Sequence, residues 1–168
     1  MGGIISIVKF GKGCDGYMLI SSKGRYAIRV MVYLAVNHSD DYIPLKEISQ
    51  KEDLSQKYLE TITRMLSKAH LIEAASGHGG GYRLTRNPAD YSISEILNLT
   101  EGSLAPVSCL KDEQNTCERS SACYTLPIWE GLAKIINDYF DNMTLADVVR
   151  LATEADKPEE NKADKEDK

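Results

Sequence analysis

The chain has 168 residues, about the size of one domain, of which 42% are hydrophobic and 27% charged. This composition supports a folded core and excludes a chain that is disordered throughout. No window holds the roughly 18 consecutive apolar residues that a membrane-spanning helix needs, and the apolar run Ile4 to Val8 is too short for a secretion signal, so we expect a soluble, cytoplasmic protein.

The net charge of −5 is unevenly distributed along the chain. Residues 18–91 hold ten Lys or Arg against eight Asp or Glu, whereas residues 92–168 hold eight against sixteen. Residues 18–91 therefore carry a small positive charge and do not repel a phosphate backbone. Residues 1–17 are glycine-rich and lack a sustained period, so we interpret them as an extension, with Met18 as an alternative start and Cys14 as incidental.

Helical periodicity begins after Met18. The first predicted helix runs from Ser22 to about Asn37. Pro44 then opens a short helix from Leu45 to Lys51, and Ser55 is the N-cap of a further helix from Gln56 to about His70. The gap of about four residues between these two is typical of a helix-turn-helix. We expect the helix after Ser55 to bury Tyr58, Leu59, Ile62, Leu66 and Ala69.

The opposite side of that helix carries a polar stripe of residues spaced by three or four. A stripe of this kind is usually a solvated face. If it contacts DNA instead, residues near the helix start are best placed to read base edges, and later ones to touch the phosphate backbone. The first group is Gln56, Lys57, Glu60 and Thr61, and the second is Arg64 and Lys68.

The segment after the polar helix predicts a β-hairpin with a glycine-rich tip: Leu71 to Ala75, then Ser76 to Gly81, then Tyr82 to Leu84. A hairpin in this place is a wing, and its glycines let backbone N–H groups come close to phosphate. The alternative is an ordinary loop between strands. A nucleotide-binding loop is excluded because neither the dinucleotide nor the P-loop spacing is present.

The second half begins with a helix from Ser92 that stops at Gly102, followed by an irregular stretch, residues 103–124. Pro127 starts a long helix that ends near Asn142. Its broad apolar stripe either packs against the same helix of a second subunit or folds back on its own domain. The stripe contains Ile128, Leu132, Ile135, Ile136, Tyr139, Phe140 and Met143.

A short terminal helix is predicted next, starting at a capping box formed by Thr144 and Asp147 and running through Leu151. Residues 153–168 are almost entirely charged, and we expect a disordered tail there. In domain terms, the extension 1–17 precedes a DNA-binding domain (18–102), a cysteine loop (103–124), a dimerisation segment (125–152) and the tail.

Three cysteines, Cys109, Cys117 and Cys123, fall within fifteen residues of the irregular stretch. In a reducing compartment such thiols are soft ligands for zinc or an iron–sulfur cluster, although three thiols without metal remain an alternative. A disulfide would leave one unpaired, and a structural zinc site would show close C-x2-C pairs. A further ligand would come from a partner subunit, a small molecule or the loop carboxylates Asp112, Glu113 and Glu118.

Several segments together resemble the Rrf2 family of bacterial winged-helix transcription regulators. They are SSKGRYAIRVMVYLA, IPLKEIS, LSQKYLETI, GHGGGYRL, SISEIL, the three cysteines, LPIWEGL and NMTLADVV, and they span residues 18–149. The resemblance implies a mainly α fold with a small β wing, a winged helix-turn-helix with a long dimerisation helix. It also implies a homodimer on a palindromic double-stranded operator, with the helix after Ser55 in the major groove and the Gly77–Gly81 wing at the minor groove. The expected DNA contacts are Ser55, Gln56, Lys57, Glu60, Thr61, Arg64, Lys68, His78, Gly79 and Gly80.

The resemblance further implies that the three cysteines hold an iron–sulfur cluster, 2Fe-2S rather than 4Fe-4S. Where related regulators carry a ligand histidine or aspartate, this chain has Leu126 and Arg25, and Ser76 stands in place of the family's wing arginine. We therefore expect a repressor or dual regulator that senses iron–sulfur, redox or nitric oxide status. The alternative is a cluster-free repressor of sulfur metabolism controlled by a partner protein. An enzyme is disfavoured, because the chain lacks an acid–base or nucleophile constellation.

Overall fold

The structure is a computed structural model that describes residues 20–39, 41–112, 115 and 117–155. Within them the chain forms six α-helices and one two-stranded antiparallel sheet, which confirms the mainly α fold with a small β hairpin. The predicted extension 1–17 with Cys14 lies outside the described residues, as does the predicted tail beyond Ala155. The last helix runs to Ala155, four residues past its predicted end at Leu151 and into the predicted tail, where Glu154 pairs with Arg150 one turn earlier. The elements are α1 (Ser22–Val36), α2 (Leu45–Glu52), α3 (Gln56–Lys68), β1 (Ile72–Ala75), β2 (Gly81–Leu84), α4 (Ile93–Glu101), α5 (Leu126–Asp141) and α6 (Leu145–Ala155).

Short polar side chains and one glycine set the ends of the helices, largely as predicted. The hydroxyl oxygens of Ser55 and Ser92 accept hydrogen bonds from the backbone N–H groups of Tyr58 and Glu95, and so cap α3 and α4. Gly102 ends α4 with a φ of 77°, a left-handed conformation that glycine adopts without strain. Between α2 and α3 lie only residues 53–55, which confirms the helix-turn-helix.

The core lies where α1, α3 and α4 meet. The predicted apolar faces are confirmed for α1, while α3 differs at its end: Ala69 is exposed, so its predicted burial is wrong. The physical reason is that α3 ends at Lys68, so Ala69 is its C-cap, and the chain turns away from the helix at His70, whose φ is 58°. The fully buried side chains include Val30, Met31, Leu34, Ile48, Leu59, Ile62, Leu66, Ile96 and Leu97.

Strands β1 and β2 form the predicted hairpin, with Ile72 opposite Leu84 and Ala75 opposite Gly81. The hairpin is joined to the segment before α2 by an antiparallel bridge between Ile43 and Tyr82, whose backbone groups exchange two hydrogen bonds of 2.9 Å. None of the helices in the described part of the chain is long and apolar enough to cross a membrane.

The apolar stripe predicted on α5 is divided between two sides of the helix. Ile136 and Phe140 pack against the core, as does Met143 just beyond the helix. The other side is open, with Ile128 62%, Leu132 39%, Ile135 67% and Tyr139 57% exposed. The chain therefore folds half of the stripe back on its own domain and leaves the other half uncovered.

The predicted capping box of Thr144 and Asp147 is confirmed at the start of α6. The Asp147 carboxylate accepts hydrogen bonds from the hydroxyl (2.7 Å) and the backbone N–H (3.1 Å) of Thr144. The backbone N–H of Asp147 donates in return to the Thr144 hydroxyl at 3.1 Å. These bonds, with help from Arg150, lower the pKa of Asp147 to about 2.

The depressed pKa predicts a defined pH dependence for Asp147→Asn. A carboxyl with a lowered folded-state pKa stabilises the fold above its unfolded value of 3.8 and loses this contribution as the pH falls towards 2. The wild type should therefore melt above Asp147→Asn at neutral pH, and the gap should close between pH 4 and pH 2. Thermal melts of both proteins across this range check it, and a gap independent of pH would contradict it.

Candidate DNA-binding face and cysteine loop

The exposed side of α3 is polar along its whole length. The helix buries Leu59, Ile62, Thr63 and Leu66, which places the residues between them on the outside. Every α3 residue predicted to contact DNA is exposed, as is the N-cap Ser55. The set is Gln56, Lys57, Glu60, Thr61, Arg64 and Lys68.

This face of α3 carries three cations and one carboxylate. Within the described part of the chain, none of Lys57, Arg64 and Lys68 is in an ion pair, whereas Arg29, Arg83 and Arg86 are each paired with a glutamate. Unpaired, exposed cations on one helix face are available to phosphate. The local charge of the face is therefore positive although the chain as a whole is acidic.

The wing tip is formed by residues 76–80 between the two strands. Gly77 and Gly79 have φ angles of 95° and 80°, and a side chain on Gly80 would collide with the carbonyl oxygen of Ala75. The tip therefore requires glycine at these positions. His78 and Gly79, two of the predicted DNA contacts, are exposed there, and Gly80 is partly exposed.

The three cysteines lie along the segment that joins α4 to α5, and all three are free thiols. Cys109 lies in the short 3-10 turn Ser108–Leu110, and Cys123 follows the turn Ser120–Ala122. Cys117 is exposed, and the other two are partly buried. The hydroxyl of Thr125, 3.4 Å from the sulfur, helps to lower the pKa of the Cys123 thiol, which favours its thiolate form.

The structure does not bring the three thiols together as a ready ligand set. Among the described residues, which leave out Glu113, no three His, Cys, Asp or Glu side chains lie close enough together to hold a metal ion. The donor set nevertheless has the right chemistry for an iron–sulfur cluster, because it consists of accessible, unpaired thiols. Thiols on a helix or strand would be held at fixed distances from one another, whereas these three lie in a segment of short turns.

Sequence reasoning did not single out Tyr91, which is fully buried and bonds to the wing base. A tyrosine one residue before an N-cap carries no pattern that would mark it, because its partners, Leu71 and Arg86, lie in the segments that follow α3 and β2.

Similarity to known proteins identifies the family to which this chain belongs. Residues 20–151 match the Rrf2 family, described as iron-dependent transcriptional regulators. The chain belongs to this family. Protein rrf2 of Nitratidesulfovibrio vulgaris is 34% identical over 137 residues, which cover 81% of this chain and 90% of the relative.

Two solved structures of the Rrf2 family have the same fold. CymR (YrzC), the global cysteine regulator of B. subtilis, superposes with a TM-score of 0.66 at 29% identity, covering 79% of this chain and 97% of the other. IscR of T. potens superposes with a TM-score of 0.66 at 30% identity, covering 83% of this chain and 91% of the other. The protein is thus an Rrf2-family DNA-binding transcriptional regulator and not an enzyme.

Proposed function

We propose that this Rrf2-family regulator is a homodimer that binds a palindromic operator and changes its affinity with the state of an iron–sulfur cluster held by Cys109, Cys117 and Cys123. One observation carries the proposal. The segment with the three free thiols directly joins α4, which packs on α1 in the DNA-binding core, to α5 with its uncovered stripe. A change in this segment therefore acts on both the DNA-binding domain and the subunit contact.

The ligand chemistry supports iron–sulfur over zinc. Three thiols without a neighbouring histidine are too few for a closed structural zinc site, whereas an incompletely thiolate-ligated cluster is labile and suits sensing. Asp112 and Glu118 are exposed in the same segment, so either can supply a further oxygen ligand. When bound, the cluster, 2Fe-2S rather than 4Fe-4S, supplies a group that oxidants and nitric oxide can modify.

DNA recognition in this proposal is divided between α3 and the wing. The start of α3, with Gln56 and Glu60, enters the major groove, where an amide and a carboxylate can distinguish base edges. Arg64 and Lys68 meet phosphate further along the helix. His78 and the backbone of the glycine tip approach the minor groove, and His78 takes the place of a wing arginine.

The dimer is proposed to form through the uncovered side of α5. Ile128, Leu132, Ile135 and Tyr139 are spaced by three or four residues and form one continuous apolar row. An isolated row of this length is a typical protein–protein contact. Two copies of α5 packed together would cover it and place two α3 helices for the halves of a palindrome.

Ile135→Asp should dissociate the dimer. Covering an isoleucine is worth roughly 1.5–3 kcal/mol, and a two-fold contact loses it twice, so the dimer dissociation constant should rise by about two to four orders of magnitude. Sedimentation of wild type and variant measures this. Asn137→Asp is the matched control, because it adds the same charge at an exposed position of α5 outside the apolar row. A wild type that sediments as a monomer at micromolar concentration would contradict the proposal.

The function is tested by selecting duplexes from a random library with anaerobically purified protein and then measuring their affinity for cluster-loaded and cluster-free samples. We expect palindromic sequences and a difference in affinity between the two samples. Selection of no preferred sequence, or identical affinities, would contradict the proposal.

A second candidate is a cluster-free repressor of sulfur metabolism controlled by a partner protein. Two observations favour it: the thiols are not assembled in the described residues, and CymR superposes as well as IscR. A colourless, metal-free protein that still selects a palindrome supports this candidate, and a brown protein supports the first.

A further inference from the structure

The hydroxyl of Tyr91 joins three segments of the DNA-binding domain. The Tyr91 side chain is 0% exposed. Its hydroxyl donates to the carbonyl oxygen of Leu71 at 2.8 Å and accepts from the backbone N–H groups of Thr85 at 2.9 Å and Arg86 at 2.8 Å. A phenolic hydroxyl has one hydrogen to donate and two lone pairs to accept, so these three bonds use its full capacity, and the Thr85 hydroxyl lies beside them at 3.1 Å.

The three segments include both proposed DNA-contacting elements. Leu71 follows the end of α3, Thr85 and Arg86 follow β2 of the wing, and Tyr91 itself leads into α4. The Thr85 hydroxyl adds a 2.7 Å bond to the carbonyl oxygen of His70. The chain after α3 and the chain after β2 thus both bond to one buried oxygen atom.

The aromatic ring of Tyr91 strengthens the same junction. The Arg86 guanidinium lies over the ring, 4.2 Å from its centre, and pairs with both carboxylate oxygens of Glu95 on α4 at 2.8 and 2.9 Å. The backbone carbonyl of Tyr91 also accepts from the N–H of Leu145 at the start of α6. The junction is therefore held from α4 and α6 as well as from the wing.

The wing has a second attachment, at the middle of β2, through the bridge between Ile43 and Tyr82. A two-stranded hairpin is marginally stable on its own, so its direction depends on such attachments. The bridge holds the middle of β2, and Ile72 and Leu84 at the base of the hairpin are buried in the core. Apolar packing is non-directional. The Tyr91 hydroxyl adds directional hydrogen bonds at the end of β2, which set the angle of the hairpin.

We propose that Tyr91 is a positioning residue for DNA binding: its hydroxyl sets the angle between the wing and α3 at which both engage one duplex. The proposal rests on the assignment of the wing to DNA made above. Without the hydroxyl, the N–H of Arg86 loses its acceptor, and the hairpin must shift to expose that group to water.

Tyr91→Phe tests the proposal because it keeps the buried ring and removes only the hydroxyl. We expect operator affinity to fall about tenfold, because the wing and α3 are then no longer held at the angle that fits one duplex. The same substitution in a His78→Ala background, where the wing tip contact is already removed, should lower affinity only about twofold, because interacting sites are not additive. Equal losses in both backgrounds, or no loss in either, would overturn the proposal.

Tyr33→Phe is the matched control, because it removes a tyrosine hydroxyl that bonds to Glu47 on α2 instead of to the wing. Its effect should be the same with and without His78→Ala. Should Tyr91→Phe not fold, Thr85→Val removes the hydroxyl that bonds to the His70 carbonyl and lies 3.1 Å from the Tyr91 hydroxyl. This variant should lower affinity about fivefold, again less with His78→Ala, because one hydrogen bond is worth about 1 kcal/mol. An unchanged affinity would overturn the proposal.

Amide hydrogen exchange separates this proposal from the proposed function. In Tyr91→Phe, the amides of Thr85 and Arg86 should exchange about tenfold faster than in wild type while those of α1 keep their rates. Unchanged exchange at Thr85 and Arg86 contradicts the role of Tyr91. Failure of the wild type to bind any selected duplex contradicts the DNA assignment instead.

Discussion

Replacing any one of Cys109, Cys117 or Cys123 by Ala should abolish stable cluster binding. An iron–sulfur cluster is held by thiolates, and the segment between α4 and α5 has three of them, so the loss of any one leaves too few ligands. Visible absorption of anaerobically purified protein measures the loss, which should be nearly complete for each variant. The fold should be retained, because all three side chains lie outside the core.

Cys14→Ala is the matched control for these variants, since it removes the same group from the predicted extension. It should leave the visible spectrum unchanged. Full absorbance in Cys117→Ala would refute the ligand assignment. Cys117→Ala is the most informative of the three variants, because Cys117 is exposed and its substitution leaves the packing of the protein unchanged.

Arg64→Ala and Glu60→Ala should affect DNA binding in different ways. Arg64 is placed to meet phosphate, so its loss should lower affinity for all sequences alike. It should also reduce the salt dependence of a dimer by a log–log slope of about 1.8, because about 0.9 is lost per phosphate contact. Glu60 and Gln56 are placed to meet base edges, so their replacement by Ala should change which operators are preferred, at about 1–3 kcal/mol per lost contact.

Lys134→Ala is the matched control for Arg64→Ala, because it removes a positive charge from α5, away from α3. It should leave the slope unchanged. Binding-site selection with each α3 variant at fixed salt separates the two roles. An unchanged site preference in both Glu60→Ala and Gln56→Ala would contradict the proposed reading face.

The features that depend on neighbouring residues could be predicted from the sequence. Ser55 and Ser92 cap helices through bonds to residues three positions on, and Thr144 and Asp147 do the same reciprocally. Periodicity likewise located the buried face of α1. Such interactions are encoded within one or two turns of helix, so sequence spacing is sufficient to find them.

Features that depend on distant segments could not be predicted. The spacing of the α5 stripe shows that it is apolar but not that Ile136 and Phe140 face the core while Ile135 does not, which depends on how α5 lies against the domain. Tyr91 bonds to Leu71, twenty positions away. The spacing of the cysteines likewise gives their chemistry but not their arrangement in the structure.

If this Rrf2-family regulator senses through a thiolate-bound cluster, as we propose, anaerobically purified protein should contain iron and acid-labile sulfide in equal amounts. Quantification of both should give about two of each per chain for a 2Fe-2S cluster, and both should be lost in Cys109→Ala. A wild type that contains neither element and still binds its operator with full affinity would contradict this proposal.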